Sequence, residues 1–144
     1  MARIQIEIPD HSIFETELTV RVADINYGGH VGNDTMLSLM QEARTQLYRS
    51  LGYENEMSFE GTVGQVIADA AVVYKREAFL GDTLTITIGV GEFNKYGFDV
   101  YYRIVKKSDG NEVARGKTGI VCFDYVLRKV ARVPEKLRAQ LKGN

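Results

Sequence analysis

The sequence predicts an α+β fold: one long helix lying against a curved antiparallel sheet of about five to six strands. Three observations carry this expectation. One apolar stripe recurs at helical spacing, four strand-like runs follow it in succession, and turn chemistry separates those runs. At 144 residues the chain fits a single domain, residues 1–144, with room for a substantial core.

Thr16 to Val22 alternates polar and apolar residues and reads as the first strand. A loop from Asp24 to Gly32 comes next. Asn33 is a suitable N-cap for the helix, whose stripe is Met36, Met40, Ala43, Leu47 and Leu51, and Gly52 ends it. Four strands are then expected over Gly64–Tyr74, Thr83–Glu92, Phe98–Lys106 and Glu112–Tyr125. Their separators are Leu80-Gly81-Asp82, Asn94-Lys95-Tyr96-Gly97 and Ser108-Asp109-Gly110-Asn111, and the last two predict hairpins. Val133, Leu137 and Leu141 predict a short helix begun near Pro134, with Arg128–Arg132 before it read as a tail. A single helix covers one face of such a sheet, and the strands are rich in β-branched and aromatic residues. A homodimer or homotetramer is therefore expected to cover what remains.

A net charge of −1 argues against a nucleic-acid partner. No run is long and apolar enough to predict a membrane span, and the acidic, alternating N-terminus does not read as a signal peptide. Cys122 is the lone cysteine, so no internal disulfide is expected and a cytoplasmic location is the simplest reading. Its neighbours Ile120, Val121 and Phe123 mark it as a buried strand thiol rather than a nucleophile. With only His11 and His30, no metal site is expected. The chain also lacks a Gly-x-Ser-x-Gly elbow and a phosphate-binding lysine loop.

The chemistry is expected at Ala23-Asp24-Ile25-Asn26-Tyr27-Gly28-Gly29-His30-Val31-Gly32-Asn33-Asp34. Paired glycines let the backbone turn and approach a ligand, and the helix that follows aims free N–H groups and a positive dipole end at the same place. A carbonyl oxygen gaining negative charge would be stabilised there.

Five pieces in order extend this reading: Asp24-Ile25-Asn26, Gly29-His30-Val31-Gly32-Asn33, Glu42-Ala43-Arg44, Tyr74 to Asp82, and Ala114-Arg115-Gly116-Lys117-Thr118. Together they resemble the hotdog-fold acyl-CoA thioesterases, in the 4-hydroxybenzoyl-CoA thioesterase-like group that includes the YbgC-type enzymes. The resemblance runs over nearly the whole chain. It implies hydrolysis of an acyl-CoA or acyl-carrier thioester to a free acid and a thiol, with no cofactor beyond the coenzyme A of the substrate. It further implies that the backbone at Gly29 and His30 supplies the oxyanion donor, and that the acyl chain lies between subunits, against Val63–Ala70 and the helix start. The family's usual catalytic carboxylate is the second Asp of Asp-x-Asp, and here that position is Asn26. An amide is no general base near neutral pH. Some relatives, among them thioesterases of enediyne polyketide pathways, also carry Asn there.

Asn26 is accordingly a candidate to hold the water or polarise the carbonyl, or else simply to shape the loop as an Asx-turn. His30 is a candidate general base, since histidine titrates near neutrality, and a candidate backbone donor. Tyr27 either lines the pocket or packs the loop, and Gly28, Gly29 and Val31 are expected around the substrate. Glu42 falls roughly 140° from the centre of the helical stripe and Arg44 roughly 60° from it. Glu42 thus points away from the core, as a solvated residue or as a base for a neighbouring subunit's site. Arg44 reads as a boundary arginine, or else as a residue that orients a carbonyl or carboxylate. Asp24 is a spare carboxylate, expected mainly to accept loop N–H groups. Lys75, Arg76, Lys106, Lys107, Arg128 and Lys129 are candidate partners for coenzyme A phosphates. Two other readings stay open: a binding module that keeps the fold without the chemistry, and a dehydratase or hydratase. The latter needs a histidine paired with a carboxylate, and the sequence displays no such pair.

Overall fold

The computed structural model describes residues 1–143. Its elements are β1 (Phe14–Thr19), a 3-10 turn (Val22–Asp24), α1 (Asn33–Ser50), β2 (Val63–Tyr74), β3 (Thr83–Gly91), β4 (Gly97–Lys106), β5 (Glu112–Asp124), β6 (Lys129–Val130) and α2 (Glu135–Leu141). One sheet runs in the order β1-β3-β4-β5-β2, with β6 added to β5, and every pairing is antiparallel. The β3–β4 and β4–β5 hairpins form as the turn residues predict.

Alternation along each strand decides which side chains meet the helix. Leu84, Ile86 and Ile88 of β3, Phe98, Val100 and Ile104 of β4, and Ala114, Ile120 and Cys122 of β5 are buried together with Met36, Leu39, Met40, Ala43, Leu47 and Tyr48 of α1. Each large apolar side chain in this set contributes about 1.5–3 kcal/mol by leaving water. Cys122 lies fully inside, and burial pushes its thiol up to about 11, which keeps it protonated and unreactive. Leu137 and Leu141 of α2 join the same core. Gln140 of α2 accepts from the Tyr53 hydroxyl at 2.7 Å and donates to the Leu51 carbonyl at 3.1 Å, tying α2 to the C-terminal end of α1.

Several boundaries differ from the sequence reading, each for a local reason. The first strand runs earlier, over Phe14–Thr19, because the Asp24 carboxylate captures the Arg21 backbone N–H at 2.8 Å and winds Val22–Asp24 into a turn. The N-cap of α1 is Gly32, not Asn33, whose side-chain oxygen instead accepts the next N–H, from Asp34, at 3.0 Å. The stretch read as a tail contains β6, since the Asp124 carboxylate accepts the N–H groups of Val126 and Leu127 at 2.9 Å each and turns the chain back onto β5.

The opposite face of the sheet carries charge. Glu112 receives Arg103 and Arg115 at 2.6 Å and Lys75 at 3.3 Å, and Arg115 also donates to the Ile6 carbonyl at 3.0 Å, which holds the N-terminal segment across this face. β2 forms one edge of the sheet, with Ile67–Ala70 exposed and a bulge between Ile67 and Asp69.

Candidate functional site

The loop after β1 closes on itself. Ile25 bridges Val31, the Asn26 N–H donates to the His30 carbonyl at 2.9 Å, and the Gly29 N–H donates to the Asn26 carbonyl at 3.0 Å. Gly29 takes a φ of 80°, in the left-handed region that favours glycine. Within this turn Asn26 Oδ1 accepts the Gly28 N–H at 2.9 Å, so the Asx-turn expected as one alternative does form. The bond leaves the side-chain NH2 of Asn26 without a partner among the described residues. Gly28 is also a matter of space: a Cβ there would lie 2.9 Å from His30 Nε2 and 3.3 Å from Asn26 Oδ1. Those two side chains flank one point, and a larger residue would separate them.

A second segment docks on the loop. The Val31 N–H donates to the Ala78 carbonyl at 2.8 Å and His30 bridges Phe79, which brings residues 75–79 alongside the histidine. His30 Nε2 consequently lies 3.8 Å from Glu77 Oε1, and its Nδ1 lies 3.4 Å from the Val31 carbonyl. Among the described residues no acceptor takes the His30 backbone N–H, whereas that of Gly29 is committed to the turn. Of the two backbone donors the family resemblance implies, His30 is therefore the one left for a ligand. It sits just before the N-terminus of α1, whose first turn has no side-chain cap.

His30 and Glu77 border a cavity of about 290 Å³ between the start of α1 and the end of β2, lined also by Val31, Asn33, Met36, Tyr74, Lys75 and Arg76; Asn26 is not in its lining. Val31 and Met36 are buried and form its apolar floor, while the Tyr74 hydroxyl donates to the Asn33 carbonyl at 2.7 Å and pins β2 to the helix start. Lys75 and Arg76 stand at the rim as exposed cations, with Lys75 3.3 Å from Glu112.

Other candidates lie elsewhere. Tyr27 is wholly exposed, so within one chain it neither packs the loop nor lines this cavity. Asp24 is buried, and hydrogen bonds from Arg21 hold its carboxyl below the usual range against the effect of burial, which makes it the structural acceptor expected. Glu42 is exposed on the far side of α1, accepts from Gln46 Nε2 at 3.3 Å, and borders a separate groove with Arg21 and Asp24. Arg44 differs from the boundary position expected of it. It is 4% exposed, pairs with Glu56, and donates to the Tyr102 hydroxyl at 2.9 Å. With an internal carboxylate and hydroxyl as partners the guanidinium has no need to reach solvent. Among the described residues no group of three or more His, Cys, Asp or Glu side chains is placed to hold a metal.

Glu77 is the site residue that sequence reasoning missed. It lay within the segment Tyr74–Asp82 already quoted, but only the bridge between His30 and Phe79 shows that this segment folds back onto the loop. The histidine–carboxylate pair absent from the linear sequence is thus assembled through space.

Comparison with known proteins bears on the family and the fold. The profile of the Thioesterase-like superfamily matches residues 20–141. The long-chain acyl-CoA thioesterase FadM of Escherichia coli strain K12 is 28% identical over 132 residues, covering 89% of this chain and 96% of FadM. The 1,4-dihydroxy-2-naphthoyl-CoA hydrolase of Gloeothece citriformis is 29% identical over 120 residues, covering 81% of this chain and 83% of that enzyme. Among solved structures, Slr0204, a 1,4-dihydroxy-2-naphthoyl-CoA thioesterase from Synechocystis, superposes with a TM-score of 0.82 at 23% identity, covering 90% of this chain and 96% of Slr0204. The element order, the helix wrapped by its sheet and the family match lead to one conclusion: this chain is a hotdog-fold member of the Thioesterase-like superfamily.

Proposed function

We propose that the protein hydrolyses an acyl-CoA thioester to a free acid and coenzyme A, at the cavity beside His30. The observation that carries this reading is the meeting, at one cavity, of the helix start, the unpartnered backbone donor of His30 and the His30–Glu77 pair, with the Asn26 amide beside His30 across Gly28. The thioester carbonyl accepts the His30 backbone N–H and faces the positive end of α1. A donor of this kind is worth about 3–4 kcal/mol in the transition state. The Asn26 NH2 holds the attacking water or the carbonyl oxygen. His30 takes a proton from the water as its oxygen bonds to the acyl carbon, and the carboxylate of Glu77 faces the imidazolium that results. Collapse of the tetrahedral intermediate breaks the C–S bond, and His30 returns the proton to the departing sulfur. Asp24 is already paired with Arg21, and Glu42 lies on the far side of the helix, so neither serves this cavity within one chain.

The substrate class is supported by the acyl-CoA esters that the named relatives act on. Lys75 and Arg76 at the rim suit the phosphates of coenzyme A or of a carrier's phosphopantetheine. A homodimer or homotetramer is part of the proposal, supported by the exposed edge of β2. A partner there would carry Val63–Ala70, and with it a wall for the acyl group, toward the helix start. The lone buried cysteine suits a reducing cytoplasm.

The test is thiol release from short, medium, long and aromatic acyl-CoAs in water enriched in oxygen-18. The expected result is free thiol together with an acid that carries one labelled oxygen per turnover. Saturable acyl-CoA binding without thiol release would replace this reading with the binding module, and loss of water across the acyl chain would replace it with the dehydratase.

A further inference from the structure

We infer that Met40, seated on Gly116 one helical turn behind the cavity's lining residue Met36, closes the acyl side of this cavity and sets the length of chain it accepts. This rests on the acyl-thioester reading above. Met36, Met40 and Arg44 follow one another four residues apart on the buried face of α1, so each lies one turn deeper than the last. The sheet beneath them is ordered in the same direction. Its register pairs Tyr74 with Ala114, Val72 with Gly116 and Ala70 with Thr118, and pairs Gly116 with Tyr102 on the other side.

Tyr74 and Met36 both line the cavity, so it occupies the first of these rows. The second row has a glycine at its centre, and Met40 fills the space. A Cβ on Gly116 would collide with Met40 Sδ and Cε, and Met40 itself is fully buried. The third row is polar: the Tyr102 hydroxyl accepts from Arg44 Nη1 at 2.9 Å and lies 2.8 Å from Thr118 Oγ1. An apolar chain gains nothing by reaching a buried, paired guanidinium. Within one protomer, the volume Met40 holds is the next apolar space along α1 beyond the cavity. An unbranched thioether with three rotatable bonds is a wall that substitution can move.

Two substitutions move it in opposite directions. Met40→Ala empties the second row and lengthens the cavity by one helical turn. Gly116→Ala pushes the flexible end of Met40 toward Met36 and shortens it. The experiment measures the affinity of the protein for S-alkyl-CoA thioethers of increasing chain length, which lack the scissile carbonyl and report the pocket without turnover. Met40→Ala is expected to move the optimum to longer chains, with about tenfold tighter binding for each two methylenes that newly fit. Gly116→Ala is expected to move it to shorter ones, with about tenfold weaker binding at the wild-type optimum. Thermal melts establish which variants fold, and if Met40→Ala does not, the direction of the Gly116→Ala shift decides.

Length profiles that superimpose on the wild type overturn the inference, as does a shift of both variants in the same direction. Shifted profiles in a protein that releases no thiol from any acyl-CoA would overturn the hydrolase reading and leave the wall in place. No binding of any thioether by the wild type would overturn both.

Discussion

The oxygen of Asn26 accepts the backbone N–H of Gly28 at 2.9 Å, which divides the side-chain amide in two. Its oxygen serves the loop, and its two N–H donors have no partner among the described residues. In the proposed reaction, this residue, which is no general base, acts as a donor to a water or a carbonyl.

Gly28 protects that geometry through its size. Its backbone is not in the left-handed region, so alanine is compatible with the chain path, but the added Cβ would meet His30 Nε2 at 2.9 Å. Gly28→Ala is expected to lower kcat/KM by about tenfold or more while Tm moves by less than about 4 °C. Steady-state kinetics beside a thermal melt check this, and unchanged kinetics would show that the imidazole position is immaterial.

Glu77 lies 3.8 Å from His30 and is well exposed, so its effect is screened and modest. Glu77→Gln is expected to lower kcat by about threefold to tenfold with KM little changed, and Glu77→Asp to fall between. A change confined to KM would assign Glu77 to substrate binding instead.

Arg44 and Glu56 should govern stability rather than turnover. Burial works against the Arg44 charge, but Tyr102 and Glu56 outweigh it and hold the guanidinium charged above its ordinary range. Glu56→Gln removes the carboxylate and leaves a cation in the core, at an expected cost of about 2–4 kcal/mol in urea unfolding. The double variant Arg44→Met, Glu56→Gln should recover part of that loss. A cost below about 0.5 kcal/mol for Glu56→Gln would mean that water substitutes for the carboxylate.

Glu112 supplies the acid sensitivity. Burial pushes its carboxyl up, yet hydrogen bonds from Arg115, Arg103 and Lys75 prevail and bring it from 4.5 to about 2. A folded-state value below the unfolded one stabilises the protein fully above about pH 4.5 and is lost as pH falls toward about 2. With partly exposed partners this amounts to about 1–2 kcal/mol. Glu112→Gln should lower stability by that amount at neutral pH and flatten its decline through the acid range. Equal acid sensitivity in wild type and variant would assign the loss to other carboxylates.

What the sequence made legible was whatever local periodicity encodes. The stripe from Met36 to Leu47 and the alternation in β3, β4 and β5 depend only on near neighbours, and the Asx-turn at Asn26, one of two alternatives the sequence left open, spans two residues. What stayed hidden depends on contacts between distant residues. A helical wheel gives the angle of Arg44 but not Tyr102, whose hydroxyl lets that angle be buried. The same holds for Glu77, which reaches His30 through a bridge at Phe79, and for Gly116, whose missing side chain admits Met40.

The most direct test of the central claim is thiol release from the acyl-CoA that the wild type hydrolyses best, measured beside Asn26→Ala and Asn26→Asp. If the amide donors of Asn26 serve the reaction, Asn26→Ala loses about tenfold or more in kcat. Asn26→Asp should stay active, because aspartate still accepts the Gly28 N–H and brings a carboxylate base. An Asn26→Ala protein that turns over as fast as the wild type would contradict the account and place the chemistry outside this loop.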